Sequence, residues 1–404
     1  MKEDNVESKT RLPRWFNGVS VILKNLRRGS LEIILPDKRS FIFQGKEKGP
    51  MGIIFVKNND FFSRIIREGD NGFPESYMDG WWDTPDLLAV LDVIMLNNKE
   101  IGYSFPGTFL LRNYERLIHW WKSNSKKQAK KNIFYHYDLG NDFYSRWLDK
   151  SMTYSSALFN SDKESLEKAQ ENKYYNICKN INPKPDDHLL EIGCGWGGFM
   201  EYAIKKYKVN ITGITISKAQ YDFTKKRLFE AGLADRAKVV LNDYRNQRGQ
   251  FDGIASIEMF EAVGEKYWPI YFSTLKNLMK TGAKSTLQII TIADELFPKY
   301  RKNVDFIQKY IFPGGFLPSI QFMENLIKKN DLKLEKINTY SDDYARTLAT
   351  WRKNFLGAWE KISPLGFDEY FKRMWEFYLS YCEGGFKSRN INLIQFSMSN
   401  RYSS

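Results

Sequence analysis

The pattern of hydrophobic and polar positions along the chain changes at about residue 185. Beyond this point, short apolar runs alternate with segments of helical period. The apolar runs predict five β-strands, "HLLEIG" (188–193), "VNITGITI" (209–216), "AKVVLND" (237–243), "FDGIASIEMF" (251–260) and "STLQIITI" (285–292). The segments between them predict three helices, "GGFMEYAIKKY" (197–207), "KAQYDFTKKRLFEAG" (218–232) and "YWPIYFSTLKNLMK" (267–280). This alternation predicts an α/β fold with a doubly wound, mostly parallel sheet, whose ligand binds at the carboxyl ends of the strands.

The N-terminal part of the chain has shorter and more mixed elements. Two apolar runs flank Pro36 and Asp37 in "LEIILPDKRSFIFQG" and predict a β-hairpin. An amphipathic segment follows Thr84 and Pro85, which are candidates for the N-cap and the first helical position. This part is therefore predicted to be a smaller α+β domain.

The composition along the chain predicts the domain boundaries. The segment "WWKSNSKKQAKKN" is rich in Lys and poor in apolar residues, which favours a linker or a basic surface helix. The predicted regions are a disordered N-terminus (1–13), a lipid-binding or dimerisation domain (14–119), a basic linker (120–132) and a catalytic domain (133–404). Trp81 and Trp82 of the second region suit an interfacial anchor or interdomain contact, or ordinary packing, and the sequence leaves this open.

The charge and the rare residue types narrow the possible functions. Lys and Arg number 61 against 48 Asp and Glu, a net charge of +13 that favours nucleic acid or an anionic membrane surface as partner. There is no apolar run of about 18 residues to span a membrane, and no secretory signal at the N-terminus. The three cysteines and three histidines are scattered, so no metal site or serine-type triad is predicted. These features predict a cytoplasmic protein.

A glycine-rich turn follows the first predicted strand in "LLEIGCGWGGF" (189–199). Gly193, Gly195 and Gly198 satisfy the spacing of dinucleotide sites, but the second strand ends in "NITGITISKAQ", without the acid that binds a ribose there. Glu191 precedes Gly193 by two residues, as in class I S-adenosylmethionine (SAM) methyltransferases. Glycines permit close approach of the backbone, and an acid can pair with the ammonium group of SAM. SAM is therefore preferred over NAD.

An ordered series of motifs extends this similarity over most of the chain. The chain resembles the cyclopropane-fatty-acyl-phospholipid synthase family from about residue 14 to its C-terminus. The motifs that carry the resemblance are "ESYMDGWWDTPDL", "HYDLGNDFYSRWLDKSMTYSSALF", "EIGCGWGGF", "GITISKAQ", "NDYR", "SIEMFEAVGEKYW", "YIFPGGFLPS", "YARTLATW" and "YCEGGF".

The resemblance implies a set of residues that bind SAM. Gln220 and its neighbours would take the place of the missing ribose acid. The implied set is Tyr154, Ser155, Glu191, Gly193, Gly195, Gly197, Thr215, Gln220, Asp243 and Tyr244.

The resemblance also implies the chemistry. An alkene that attacks the SAM methyl group becomes a carbocation, which aromatic faces stabilise by about 0.5 to 2 kcal/mol each. Candidate aromatic residues are Tyr154, Phe159, Tyr267, Trp268, Tyr310, Phe312 and Phe316. In the family a bound bicarbonate removes the proton, and the implied residues around it are Glu261, Tyr344 and Cys382, with Ser156 at a cysteine position and Gln288 at a histidine position. Gln288 cannot titrate, so the sequence leaves open whether this chain keeps the bicarbonate.

The implied function is transfer of a methylene group from SAM to the double bond of an unsaturated phospholipid acyl chain, by an enzyme at the inner face of the membrane. The expected partners are these acyl chains and an anionic membrane surface, with no nucleic acid, and the N-terminal domain could support a homodimer. Open alternatives are a methyl-branched, methylene or furan-precursor product of the same superfamily, and a small-molecule or RNA methyltransferase. No RNA-binding motif favours the last alternative.

Overall fold

The computed structural model describes residues 11–98 and 139–400, which form two compact units. The first unit contains the described residues up to 98 together with 369–377, and the second contains 139–368 and 378–400. The predicted disordered N-terminus lies mostly outside the described residues, and the predicted linker (120–132) lies entirely outside them. Both stay predictions, as do the domain boundaries.

Helices and strands are numbered here in chain order over the described residues. The helices are α1 (Phe16–Leu23), α2 (Phe61–Glu68), α3 (Gly72–Met78), α4 (Leu87–Leu96), α5 (Gly140–Ser145), α6 (Leu166–Ile181), α7 (Gly198–Tyr207), α8 (Lys218–Glu230), α9 (Trp268–Leu278), α10 (Phe297–Tyr300), α11 (Ile320–Lys329), α12 (Ser341–Gly357), α13 (Trp359–Ile362) and α14 (Glu369–Lys387). The strands are β1 (Arg28–Ile34), β2 (Ser40–Gln44), β3 (Glu47–Val56), β4 (Trp82–Asp83), β5 (His188–Ile192), β6 (Asn210–Thr215), β7 (Ala237–Leu241), β8 (Phe251–Ile257), β9 (Met279–Ile292), β10 (Leu332–Thr339) and β11 (Ile391–Asn400).

The second unit is built on a seven-stranded sheet in the order β10-β11-β9-β8-β5-β6-β7. The five strands from β9 to β7 are parallel, whereas β11 is antiparallel to both of its neighbours. Helices α7, α8 and α9 connect successive parallel strands, as the hydrophobic pattern predicted. The predicted fold class is therefore confirmed. The sequence patterns missed β10 and β11, which complete one edge of the sheet.

The first unit contains a four-stranded sheet in the order β2-β1-β3-β4. The predicted hairpin is confirmed, because β1 and β2 pair in antiparallel fashion around Pro36 and Asp37. The predicted N-cap at Thr84 is wrong. The N-cap is Asp86, whose side chain accepts a hydrogen bond from the Ala89 backbone N–H at 3.1 Å. Helix α4 therefore begins at Leu87, two residues after the predicted first position, Pro85.

The two neighbouring tryptophans of the first unit have different environments. Trp82 is completely buried, and its indole N–H donates to Ser76 Oγ at 3.1 Å. Trp81 is partly exposed, with the Arg64 guanidinium 4.7 Å from its ring. The arrangement agrees with ordinary packing for Trp82 and gives no support to its role as an interfacial anchor. In the described residues, no helix combines the length and apolar character needed to cross a membrane.

A buried asparagine fastens the end of α4 to the sheet of the first unit. Asn97 Oδ1 accepts from the backbone N–H groups of Arg27 (2.7 Å) and Arg28 (2.9 Å). Its Nδ2 donates to the carbonyl groups of Arg28 and Val93, both at 2.7 Å. Because the side chain is inaccessible to solvent, water cannot replace these bonds.

We expect Asn97→Ala to lower the free energy of unfolding by about 2–4 kcal/mol, because it removes four hydrogen bonds to buried or partly buried backbone groups. Urea denaturation followed by tryptophan fluorescence measures this change. Asn25→Ala is the matched control, since the exposed Asn25 makes one long bond to Val21 at 3.4 Å, and it should change stability by less than about 0.5 kcal/mol. An equal effect of the two variants would contradict this account.

Candidate active site

A cavity of about 290 Å³ lies in the second unit, at the carboxyl ends of strands β5, β6 and β8. Its wall includes many of the residues that the sequence predicted for the site. Those that line it are Tyr154, Ser155, Glu191, Gly193, Gly195, Thr215, Gln220, Asp243, Tyr244, Glu261, Tyr344 and Cys382. The remaining predicted residues, Ser156, Gly197 and Gln288, lie behind this wall.

The glycine turn connects β5 to α7 and keeps one side of the cavity open. Gly193, Gly195 and Gly197 all have positive φ values, of 84°, 50° and 80°. A Cβ atom on Gly195 would meet no protein atom within 4 Å and would stand in the space that the residue lines. At Gly197 a Cβ atom would lie 2.6 Å from Thr224 Cγ2, so this glycine is needed for packing of α7 against α8. The turn therefore presents bare backbone to a ligand.

Glu191, at the end of β5, fits a cationic ligand group. The residue is 3% exposed, and its Oε2 atom is buried without a hydrogen-bond partner. Burial raises the pKa of the carboxyl group to about 8, against the opposing charges of Lys173 and Arg227. An ammonium group bound nearby would restore the ionised form and satisfy the carboxylate, as the amino group of SAM would.

Thr215 and Gln220 stand where a ribose acid would be found. The Thr215 hydroxyl donates to Gln220 Oε1 at 2.8 Å, which leaves the amide NH₂ of Gln220 as the donating end of the side chain. Ser217 caps α8 through a bond from the Gln220 backbone N–H and so fixes this residue at the first turn. An amide at this position can serve ribose hydroxyl groups in place of a carboxylate.

Asp243 and Tyr244, which follow β7, make contacts within the protein that the sequence did not predict. Asp243 accepts bonds from Arg245 through its backbone N–H (2.9 Å), Nε (2.8 Å) and Nη2 (2.6 Å). The neighbouring Tyr244 packs edge to face on Tyr271, with ring centroids 5.2 Å apart, and its hydroxyl group is buried without a partner. Asp243 is thus both a turn acid and a cavity residue.

Tyr154 and Ser155 belong to a loop that is held by buried polar contacts. The hydroxyl groups of Tyr154 and Tyr378 are 2.8 Å apart, and Lys173 Nζ donates to Ser155 Oγ at 2.6 Å. Lys173 is fully buried on α6, and burial lowers the pKa of its amine to about 7. A buried amine, which is protonated only in part near neutral pH, therefore contacts Ser155 in the wall of the cavity.

Glu258, which sequence analysis did not single out, is the centre of the polar part. Its Oε1 atom accepts from the Ser156 backbone N–H at 2.9 Å and from Gln288 Nε2 at 2.7 Å. Its Oε2 atom accepts from the Tyr344 hydroxyl at 2.5 Å. A signal was present in the sequence, since Glu258 directly follows β8, at the edge of the sheet where ligands bind.

The groups around Glu258 are themselves fixed. Gln395 Nε2 donates to Gln288 Oε1 at 2.9 Å, so the Gln288 amide N–H must face Glu258. Asn176 Nδ2 in turn donates to Gln395 Oε1 at 2.7 Å. The Ser156 hydroxyl donates to the Ala157 carbonyl at 3.0 Å, which corrects the expectation that this hydroxyl serves an anion. The backbone N–H of Ser156 has that role instead.

Glu261 has a different environment from the one that the resemblance implied. Its Oε1 atom accepts from the Ile290 backbone N–H at 2.5 Å, and Oε2 is buried without a partner. Burial, with the nearby charge of Glu258, raises the pKa of Glu261 to about 8. The carboxylate that Tyr344 and Gln288 contact is therefore Glu258 and not an anion anchored by Glu261.

The implied bicarbonate does not fit this arrangement. The Gln288 amide and the Tyr344 hydroxyl, which were expected to bind it, already donate to the Glu258 carboxylate, and the Ser156 hydroxyl donates to the Ala157 carbonyl. Cys382 lines the same cavity, and desolvation raises the pKa of its thiol, so it is a neutral group at this position.

The aromatic residues proposed from the sequence divide into two groups. Three of them, Tyr154, Phe312 and Phe316, line the cavity. The others do not: Trp268 is buried in the core against Phe260, while Phe159 and Tyr267 pack against arginines, and Tyr310 packs against Phe306. Additional aromatic residues contribute to the wall, and these are Tyr174, Trp196, Phe199, Tyr244, Tyr300, Tyr344, Tyr378 and Phe386.

Comparisons with known proteins agree with this geometry. A family model described as mycolic acid cyclopropane synthetase matches residues 124–396. The cyclopropane-fatty-acyl-phospholipid synthase of Escherichia coli (strain K12) is 39% identical over 345 residues, which are 85% of this chain and 86% of the relative. The tuberculostearic acid methyltransferase UfaA1 of Mycobacterium tuberculosis is 35% identical over 365 residues, which are 85% of this chain and 82% of the relative.

Two solved structures match about two thirds of the chain. The cyclopropane synthase MmaA2 from Mycobacterium tuberculosis matches with a TM-score of 0.63 and 29% identity, over 67% of this chain and 98% of that chain. The mycolic acid cyclopropane synthase CmaA1, complexed with SAH and CTAB, matches with the same score, identity and coverage.

The sheet order, the glycine turn and the orphaned carboxylate at its edge define a class I SAM-dependent methyltransferase. The cofactor predicted from the turn is accordingly SAM, and the residues of the cavity fit it. The sequence match over 124–396 is more specific, and the chain belongs to the mycolic acid cyclopropane synthetase family. The resemblance inferred from the sequence is thus confirmed, and the enzyme's relatives are fatty-acyl cyclopropane synthases and related lipid methyltransferases.

We expect Gly195→Ala to weaken SAM binding by about tenfold, since the added methyl group occupies cofactor space. Isothermal titration calorimetry measures the Kd. Gly232→Ala is the matched control: its φ is also positive, at 67°, its Cβ would also meet no atom within 4 Å, and it does not line the cavity. The two variants share the same backbone cost of about 1 kcal/mol, so similar Kd values would show that Gly195 is not part of the SAM site.

Proposed function

We propose that the enzyme transfers a methyl group from SAM to the double bond of an unsaturated phospholipid acyl chain and closes a cyclopropane ring. The observation that carries this proposal is one cavity that joins the glycine turn to an aromatic wall and a buried carboxylate cluster. The E. coli relative, named for cyclopropane synthesis on phospholipids, supports the substrate class. UfaA1, named as a tuberculostearic acid methyltransferase, supports a methyl-branched product as the alternative.

The cofactor residues are assigned from their positions in the cavity. Glu191 would bind the amino group of SAM, and the backbone of Gly193 and Gly195 would pass close to its amino acid part. Gln220, oriented by Thr215, would donate to the ribose. The assignments of Tyr154, Ser155, Asp243 and Tyr244 rest on their location in the same wall.

The apolar part of the cavity suits a hydrocarbon that becomes charged. SAM supplies an electrophilic methyl group when bound. The acyl double bond that receives it becomes a cation, and the faces of Phe312, Phe316 and Tyr154 can stabilise that charge where water is excluded. Apolar side chains such as Leu348 and Leu317 complete the wall and suit an acyl chain.

Association with a membrane surface is part of the proposal. The net charge of +13 would attract anionic headgroups, each basic residue near the surface contributing about 1 kcal/mol. A peripheral location at the inner leaflet would bring acyl chains to the cavity. The proposed partners are therefore anionic phospholipids rather than nucleic acid, and oligomerisation to a homodimer stays a prediction.

The proposal predicts that purified enzyme and SAM convert unsaturated phospholipid vesicles to lipids heavier by one CH₂ group per double bond. Gas chromatography and mass spectrometry of the fatty-acid methyl esters separate cyclopropane from methyl-branched and methylene products. Vesicles with anionic headgroups should react faster than zwitterionic vesicles at low salt, and the difference should shrink at high salt.

Vesicles of fully saturated phospholipid are the matched control and should give no product. Unchanged acyl masses with protein that binds SAM would overturn the proposal. A parallel assay with labelled SAM and total RNA tests the competing substrate class, and label in RNA but not in lipid would contradict the function.

We expect Phe312→Leu to lower kcat by about tenfold, because the substitution keeps the wall apolar but removes an aromatic face worth about 1–2 kcal/mol to a desolvated cation. The Kd for SAM should change little. Steady-state kinetics on unsaturated vesicles and calorimetry with SAM separate the two effects. Phe229→Leu, at a position 74% exposed on α8, is the control for the same chemical change. A loss confined to SAM affinity would contradict a role for Phe312 in stabilising the cation.

A further inference from the structure

Glu258 stands at a strained backbone position, directly after the last residue of β8. Its φ of 49° lies in the left-handed region, which residues other than glycine adopt at a cost. Its backbone N–H donates to the Gln288 carbonyl at 2.8 Å, while the Gln288 side chain donates to the Glu258 carboxylate. The backbone and the side chain of Glu258 thus both bond to Gln288 on β9, and these bonds hold the carboxylate in place at the strained position.

The position of Glu258 connects it directly to the cofactor turn. The next residue, Met259, lies against Gly193, where a Cβ atom would be 2.7 Å from Met259 Cγ. Glu258 also lines the same cavity as Gly195, Phe312 and Cys382. Glu258 therefore lines the cavity next to the residue that packs against the glycine turn.

The carboxyl groups of Glu258 and Glu261 lie near each other, and a charge on one disfavours a charge on the other. Their hydrogen bonds determine which of them ionises more readily. Burial raises the pKa of Glu258, but its three donors and the protonated form of Lys173 oppose this shift. Glu261 has one backbone donor and one oxygen without a partner. Glu258 is therefore the member of the pair that ionises more readily, because more donors contact it than contact Glu261.

We propose that Glu258 is a catalytic residue that replaces an external bicarbonate as the base of the reaction. This inference rests on the proposed function, and deepens it by assigning the proton acceptor. The Gln288 amide and the Tyr344 hydroxyl, which the resemblance assigned to a bicarbonate, donate to the Glu258 carboxylate together with the Ser156 backbone N–H. A carbocation is a strong acid, so the acceptor need only be ionised and close, and a strong base is unnecessary.

The proposed step balances without another reactant. The π electrons of the acyl double bond form a C–C bond to the methyl carbon of SAM, and the C–S bond breaks with its electrons going to sulfur. A C–H bond of the transferred methyl group then supplies the electron pair of the second new C–C bond. The proton moves to the Glu258 carboxylate and passes to solvent after the product leaves.

The first test measures the turnover of the wild-type enzyme on unsaturated phospholipid vesicles in buffer depleted of carbon dioxide, with and without added bicarbonate. We expect the two rates to agree within about twofold, because the base belongs to the chain. A rate that falls tenfold or more on depletion would overturn the proposal. A wild-type enzyme that alkylates no lipid in either buffer would instead contradict the proposed function.

The second test uses two substitutions at the same position. Glu258→Gly removes the carboxylate and relieves the backbone strain of the positive φ. It also frees the three donors from Ser156, Gln288 and Tyr344, which together form the anion cradle. It should lose about 100-fold or more in depleted buffer and recover at least tenfold with added bicarbonate. Glu258→Gln keeps the cradle filled with a neutral amide, so it should lose similar activity without recovery. Retention of the wild-type rate by Glu258→Gly in depleted buffer would count against the proposal.

A binding measurement tests the same inference without turnover. ¹³C NMR of labelled bicarbonate, with SAH present, should show no exchange with the wild-type protein and clear exchange with Glu258→Gly. Bicarbonate binding to the wild-type protein at the cavity, abolished by Tyr344→Phe, would overturn the inference. Glu324→Gln, at an exposed position of α11, is the control for the loss of one carboxylate and should behave as wild type in every assay.

Discussion

The site depends on keeping one carboxylate ionised in a cavity that must otherwise exclude water. An unpaired negative charge in such surroundings takes up a proton, as the raised pKa of Glu261 illustrates. Burial raises the pKa of Glu258 as well, but Tyr344, Gln288 and the Ser156 backbone all donate to it and oppose the shift, as does Lys173 when it is protonated. A cation on a hydrocarbon survives only where water is absent, so the apolar wall is needed. The polar network is then needed because a carboxylate in such a cavity has no water to bond it.

The sheet explains how such distant residues meet. Parallel strands β5, β6 and β8 end at the same edge, so the turns that follow them bring Glu191, Thr215 and Glu258 to one cavity. The antiparallel strand β11 then places Gln395 beside Gln288 on β9 and fixes the orientation of its amide. The bond from Gln395 adds to the preference of the Glu258 carboxylate for the NH₂ end of the Gln288 amide. Strand β11 thus helps to orient the Gln288 amide toward Glu258.

The family of the chain and the identity of its proton acceptor rest on different observations. The comparisons show a SAM-dependent methyltransferase related to cyclopropane synthases, and the proposed lipid chemistry follows from that relationship. The contacts of Glu258 concern this chain alone. A side-chain carboxylate in the anion cradle would make the reaction independent of a dissolved anion, because a tethered group is held at a far higher effective concentration.

The sequence by itself determined the elements that depend on local pattern: the five parallel strands, the helices between them, the glycine turn and the preference for SAM over NAD. These follow from periodicity and from the backbone freedom of a few glycines. It missed β10, β11 and the contacts of Glu258, and the resemblance assigned the anion site to Glu261. Only the tertiary structure decided which of two acids three residues apart meets Tyr344, because that contact joins segments 86 residues apart and depends on a backbone conformation that no pattern of residue types reveals.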